Sequence, residues 1–116
     1  AVYGEKPYAE MFGDIEHIKF SDHAVLDQIK FIKSKNIPVV SIFISGRPLI
    51  VDEYIELSDA FIAAWLPGSE VIGISDLLFE EFNFNFKGKL GFSWPQDNND
   101  EPIKYPVGYG LSYSSE

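Results

Sequence analysis

Apolar positions along the chain fall into two kinds of run. Val39–Ile44, VVSIFI, and Ala60–Leu66, AFIAAWL, are apolar on both faces of an extended strand. Pro38, the Ser45–Pro48 stretch SGRP, and Pro67-Gly68 bound them. Short continuous apolar runs between turn residues predict buried parallel strands. Ala1–Tyr3 is a shorter piece of the same kind. Between the strands the period becomes helical. Val25, Leu26, Ile29 and Ile32 recur at helical spacing, and Lys30, Lys33 and Lys35 gather at the C-terminal end. This predicts a helix over Asp22–Lys35, with Ser21 as its cap and Asp22 at its positive end. A short helix over Asp52–Leu57 and another over Glu70–Phe79 complete the alternation.

Strands alternating with helices predict an α/β fold, a doubly wound parallel sheet with right-handed crossovers. Such sheets carry their sites in the loops that follow the strands. Three loops qualify, Gly4–Gly13, Ser45–Pro48 and Pro67–Glu70. Beyond Phe79 the helical period is lost, and aromatic residues mix with Gly, Pro and Asn. Lys89–Trp94 is expected to form one antiparallel edge strand, and Gln96–Glu101, QDNNDE, a solvated loop. The 116 residues contain no internal repeat and no linker, so residues 1–116 are expected to form a single domain. The opening AVYGEKP reads as the end of a strand and its loop, which fits either an upstream portion of chain or simple trimming.

Charge narrows the choice of partners. The formal net charge is -9, and nothing basic is clustered to neutralise phosphates, which argues against nucleic acid and against an anionic membrane. Neutral substrates such as sugars remain. There is no cysteine, hence no disulfide and no cysteine-ligated zinc. No apolar run approaches the length that spans a bilayer.

Several motifs compete for chemistry. Neither SGRPL nor PGSEVIG matches a glycine-rich nucleotide loop. His17 and His23 could form a metal site with Asp14, Glu16 or Asp22, but the spacing lacks a helical histidine pair and favours surface residues. VGYGL, Val107–Leu111, is expected to be a turn between packed aromatics. Glu5 and Glu10 flank Tyr8, and acids beside an aromatic face suit a sugar, but the motif by itself favours a packed loop with exposed acids. In AAWLPGSE a buried strand ends at Pro67-Gly68 and a carboxylate, Glu70, follows at once. Helix initiation accounts for this if Ser69 is the cap and Glu70 the first helical residue. Catalysis is the competing account, and the motif alone does not choose between them.

The order of segments does bear on that choice. GEKPYAEMFGD, PVVSIFISGRPL, SDAFIAAWLPGSE, DLLF, FKGKLGFSWP and YPVGYGLSY follow one another along the chain. This set resembles the C-terminal α/β sandwich domain of family three glycoside hydrolases, the β-glucosidases and exo-β-glucanases. The resemblance implies a three-layer sandwich with a mostly parallel, flavodoxin-like sheet, of which this chain carries part, and an irregular aromatic-rich C-terminal tail. It implies retaining hydrolysis of a β-glucoside or β-glucan, with Glu70 as general acid/base. The nucleophile would be an aspartate on a barrel domain that this chain lacks, so the chain alone is expected to be inactive. No cofactor and no metal are implied, and a periplasmic or secreted location is. The run departs from the family's usual GSEG, because Val71 and Ile72 follow Glu70. The missing strands are expected to leave an exposed sheet edge, Ala1–Tyr3 or Val39–Ile44, that supports self-association. Two alternatives stand beside this: an inactive sugar-binding or interaction module on the same fold, and a small complete enzyme drawing its second carboxylate from Glu5, Glu10 or Asp14.

Overall fold

A computed structural model describes residues 1–7, 17–79 and 84–113. The chain divides into two compact units, Ala1–Leu66 and Pro67–Glu116.

The first unit is an α/β layer. Strands β1 (Val2–Gly4), β2 (Val40–Ile44) and β3 (Ala60–Trp65) form a parallel sheet in that order. Helices α1 (His23–Lys33) and α2 (Asp52–Leu57) make the two crossovers and touch each other. The strands advance in one direction, so crossovers of one hand bring both helices to one face. Burial along β2 alternates accordingly. Ser41 and Phe43 point to the helices and are sealed, whereas Val40 on the other face is exposed. Phe43 meets Tyr3 and Phe20, and Tyr54 of α2 packs on Tyr3 and Phe20, with ring centroids 5.0–6.0 Å apart across these contacts. Burying one such ring is worth roughly 1.5–3 kcal/mol, so this cluster anchors α2 on the sheet, while α1 buries Leu26 and Ile29. The central place of β2 corrects the expectation that Val39–Ile44 could be an edge. Among the described residues the edges are β1 and β3.

Polar groups fix the details. Asp22, not Ser21, caps α1: its Oδ1 accepts from Val25 N at 3.2 Å, and its own N–H donates to the Tyr54 hydroxyl at 2.7 Å. A cap accepts from the amide two or three residues on, and Val25 N is the third from Asp22 but the fourth from Ser21. At the far end of α1, Lys33 donates to both oxygens of Asp59 at 2.8 Å, and Asp59 also accepts from Val39 N at 2.7 Å. The start of β2, the start of β3 and the end of α1 are thus held at one carboxylate. Gly4 is required by a close approach. A Cβ there would lie 2.3 Å from the Ile44 carbonyl oxygen, to which Glu5 N donates at 2.9 Å. Strand β3 closes on a bulge in which Ile44 partners Trp65 instead of Ala64, and Trp65 takes a φ of 53°.

The second unit contains α3 (Ile72–Leu78) and the antiparallel pair β4 (Trp94–Pro95) and β5 (Ile103–Tyr105). The expected strand over Lys89–Trp94 is reduced to its last residue plus Pro95. Leu90 instead clasps the VGYGL turn, donating to Tyr109 O at 2.9 Å and accepting from Gly108 N at 2.8 Å. Gly108 takes a φ of 82° there, which suits glycine, and Tyr109 stacks on Tyr105 at 4.4 Å. The expected turn between packed aromatics is therefore present. Trp94 is buried, and Tyr113 reaches back to donate its hydroxyl to Leu77 O at 2.8 Å. The Gln96–Glu101 loop is mostly exposed and closes on Asn98, whose Oδ1 accepts from Asp100 N at 3.0 Å. Among the described residues no helix is long and apolar enough to cross a membrane.

Candidate functional site

The loop that carries Glu70 is a turn, not the first turn of a helix. Gly68 takes a φ of 58°, and Glu70 N donates to Pro67 O at 3.1 Å. Helix α3 begins only at Ile72, with Val71 at the cap position and no side-chain cap bond. The expected helix over Glu70–Phe79 is therefore shorter, and the expected Ser69 cap is not made. Ser69 donates instead to Glu70 Oε1 at 3.2 Å. The physical reason is the tight turn at Pro67–Glu70, which uses up the residues a cap would need. Glu70 itself is exposed, and among the described residues it makes no ion pair. Glu70 is therefore neither the cap nor the first residue of α3, and its carbonyl accepts from Gly73 N at 3.2 Å.

The exits of β1 and β2 form a second cluster. Arg47 Nε donates to Glu5 Oε1 at 2.9 Å, and Arg47 Nη2 pairs with the same oxygen. The Ser45 hydroxyl, itself buried, donates to Glu5 Oε2 at 2.9 Å. Both oxygens of Glu5 are thereby engaged, and its side chain is only 12% exposed. Held on both oxygens by guanidinium and hydroxyl, this carboxylate ties the two loops together. Glu10, Asp14, Tyr8 and Glu16 lie outside the described residues. Glycines, hydroxyls and the strand-end position all mark the SGRP and GEKP loops in the sequence, but their mutual pairing carries no local signal.

A cleft of about 300 Å³ opens beside Gly4 and Glu5, lined also by Lys6, Lys19, Ser21 and Asp22. Its rim offers donors and acceptors of both charges. His17 and His23 are exposed, and among the described residues no three His, Asp or Glu side chains gather as a metal site. Burial pushes the Tyr3 phenol up to about 12, and burial also raises Tyr54. The hydrogen bond from Lys33, with that from Val39 N, holds the Asp59 carboxyl below its ordinary value.

Comparison with known proteins fits this arrangement. The chain matches the model of the glycosyl hydrolase family 3 C-terminal domain over residues 2–113. It is similar to an exo-1,3/1,4-beta-glucanase from a Pseudoalteromonas species, with a TM-score of 0.86 and 45% identity over 98% of this chain and 16% of that one. A beta-glucosidase from Listeria innocua, solved with gluconolactone, superposes with a TM-score of 0.81 and 31% identity, covering 98% of this chain and 20% of the other. Among curated proteins, a periplasmic beta-glucosidase of Salmonella typhimurium is 29% identical over 77% of this chain and 15% of its own length. The chain therefore spans only a small part of the relatives it matches. With its parallel sheet, its strand-end loops and a match over nearly its whole length, the chain belongs to the glycosyl hydrolase family 3 C-terminal domain family.

Proposed function

We propose that the chain supplies the general acid/base, Glu70, of a retaining, exo-acting β-glucosidase or β-glucanase. The cleft is shared with a barrel domain, and that domain carries the aspartate nucleophile. The observation that carries this proposal is the state of Glu70. It is an exposed carboxylate on a tight turn, and it neither caps a helix nor pairs with a cation among the described residues.

The chemistry then follows from the two-carboxylate mechanism. The barrel aspartate attacks the anomeric carbon while Glu70, protonated, gives its proton to the departing glycosidic oxygen. Glu70, now ionised, takes a proton from water as that water displaces the aspartate. The two carboxyl groups must stand about 5–5.5 Å apart. Glu5 is tied to Arg47 and Ser45, which favours a nucleophile from outside the described residues. Two carboxylates complete this reaction, so no cofactor is required. The substrate class is a β-glucoside or β-glucan, and the location is periplasmic or secreted, in keeping with the similarity to the periplasmic beta-glucosidase of Salmonella typhimurium. The free edge of β1 supports self-association of the chain when the barrel is absent.

The test is reconstitution. The chain is assayed on a chromogenic β-glucoside, alone and together with the remainder of the Pseudoalteromonas glucanase, of which it matches 16%. No turnover alone, turnover with that remainder, and its loss in Glu70→Ala are the expected results. Turnover by the chain alone, abolished in Glu70→Ala, would mean that a complete site exists in these residues. Saturable binding of a glucoside with no turnover in the reconstituted protein would favour an inactive sugar-binding module.

A further inference from the structure

Two large apolar side chains stand in solvent directly after Glu70. Val71 is 54% exposed and Ile72 is 68% exposed. Folding does not ask for them. Val71 sits at the cap position of α3 without a side-chain bond, and α3 has no fully buried residue. β-Branched residues are also indifferent helix starters, so local propensity does not select them. Ile72 opens the helix and Val71 joins it to Glu70, so the two residues that follow the carboxylate along the chain are both exposed hydrocarbon.

The place of an acid in glycoside cleavage says what that hydrocarbon meets. The proton goes to the oxygen that joins the cleaved sugar to its leaving group. The nucleophile reaches the anomeric carbon from the face opposite that oxygen. The acid's own loop consequently lies on the leaving-group side. We propose that Val71 and Ile72 form an apolar contact for the leaving group, so that the site favours β-glucosides of apolar alcohols over those whose leaving group is another sugar. This rests on Glu70 being the acid/base. A cyclohexyl group gains by covering two exposed branched side chains. A sugar ring in the same place sets its hydroxyls against hydrocarbon and loses their water.

The experiment compares cyclohexyl β-glucoside with laminaribiose on the reconstituted protein. Both leaving groups are alcohols that need protonation, so the ratio of their kcat/KM values isolates the contact from the acid. Val71→Thr with Ile72→Thr keeps branching and makes the pair polar. The ratio of cyclohexyl glucoside to laminaribiose is expected to fall about tenfold. An unchanged ratio overturns the proposal. So does an equal loss on both substrates, which would mean that the pair seats the barrel. Val71→Thr alone, with a smaller fall in the same ratio expected, keeps the question decidable if the double variant does not assemble. Glu70→Ala separates the two levels: if it leaves both rates intact, the acid/base assignment fails and this inference with it. A reconstituted wild type that cleaves neither substrate has the same meaning.

Discussion

Arg47 and Glu5 join the exits of β2 and β1 across 42 residues of sequence. The guanidinium grips one carboxylate oxygen and the Ser45 hydroxyl the other. With the Glu5 side chain 12% exposed and Arg47 26%, most of the pair is out of water. Removing one partner leaves an uncompensated carboxylate there. Arg47→Ala is expected to cost about 2–3 kcal/mol, read as the shift in the urea unfolding midpoint. Replacing both, Glu5→Leu with Arg47→Met, should cost less than Arg47→Ala alone, because the Glu5 carboxylate is no longer left uncompensated. An equal or greater loss in the double variant would show that the pair does more than neutralise itself.

The acid limb of stability should report Lys33 and Asp59. Their hydrogen bonds, with that from Val39 N, depress the folded pKa of Asp59 below its ordinary 3.8. Below pH 3.8 the unfolded state takes up the proton first, so stability falls as pH falls through the folded value. The contribution is complete above pH 3.8 and is lost on acidification. Lys33→Met is therefore expected to be less stable than wild type at about pH 6, with the gap closing toward about pH 2. Urea midpoints across that range measure it. A gap that stays constant would assign the loss to packing of the lysine stem.

What can be read along the chain tracks how local the determining interactions are. Helix α2 falls at Asp52–Leu57 as its pattern predicts, and β2 and β3 differ from expectation by one residue at one end. Their boundaries are set by proline, glycine and apolar runs within a few residues. Ser69 reads as a cap because the rule considers residue type, whereas a cap needs a backbone leading straight into helix. Gly68 at a φ of 58° bends the chain first. The bulge at Trp65 and the Glu5–Arg47 pair are not legible, since each depends on a partner in another strand. Likewise Leu90 reads as strand because it is apolar between polar neighbours, yet its hydrogen bonds go to the turn at Gly108 and Tyr109. For Glu70, residue type and motif point to the loop. Its exposure and the missing cap bond are properties of the folded turn.

Alkaline stability should be governed by the aromatic core. Burial raises the Tyr3 phenol to about 12. The Ser41 hydroxyl offsets part of this but makes its hydrogen bond with Ser58, at 2.6 Å, and the Tyr3 hydroxyl is left without a partner of good geometry. Above pH 10.0 the unfolded chain loses that proton while the folded one keeps it. Stability is then lost as pH rises from 10.0 toward about 12. Tyr3→Phe is expected to change stability at neutral pH by less than about 1 kcal/mol, since no hydrogen bond is broken. It should also flatten the alkaline decline, measured by thermal melts from about pH 8 to about pH 12. A loss well above that figure at neutral pH would reveal a hydrogen bond to the phenol.

Self-association sets two opposing forces against each other. Strand β1 pairs with β2 alone among the described residues, and Val2 on it is 66% exposed. A short apolar edge strand offers backbone donors and acceptors to a second copy. The net charge of -9 opposes the approach of two like chains. Salt screens the repulsion over about 10 Å at roughly 0.1 M and leaves backbone pairing intact. The apparent mass by light scattering should therefore rise with protein concentration, and rise further in salt. Val2→Lys puts a charge on the edge, where pairing would bury it, and is expected to hold the chain monomeric under the same conditions. If association is instead weakened by salt, opposite charges on two copies are responsible and the edge is not. A monomer at every concentration and salt level would mean that β1 is too short, at three residues, to pair on its own.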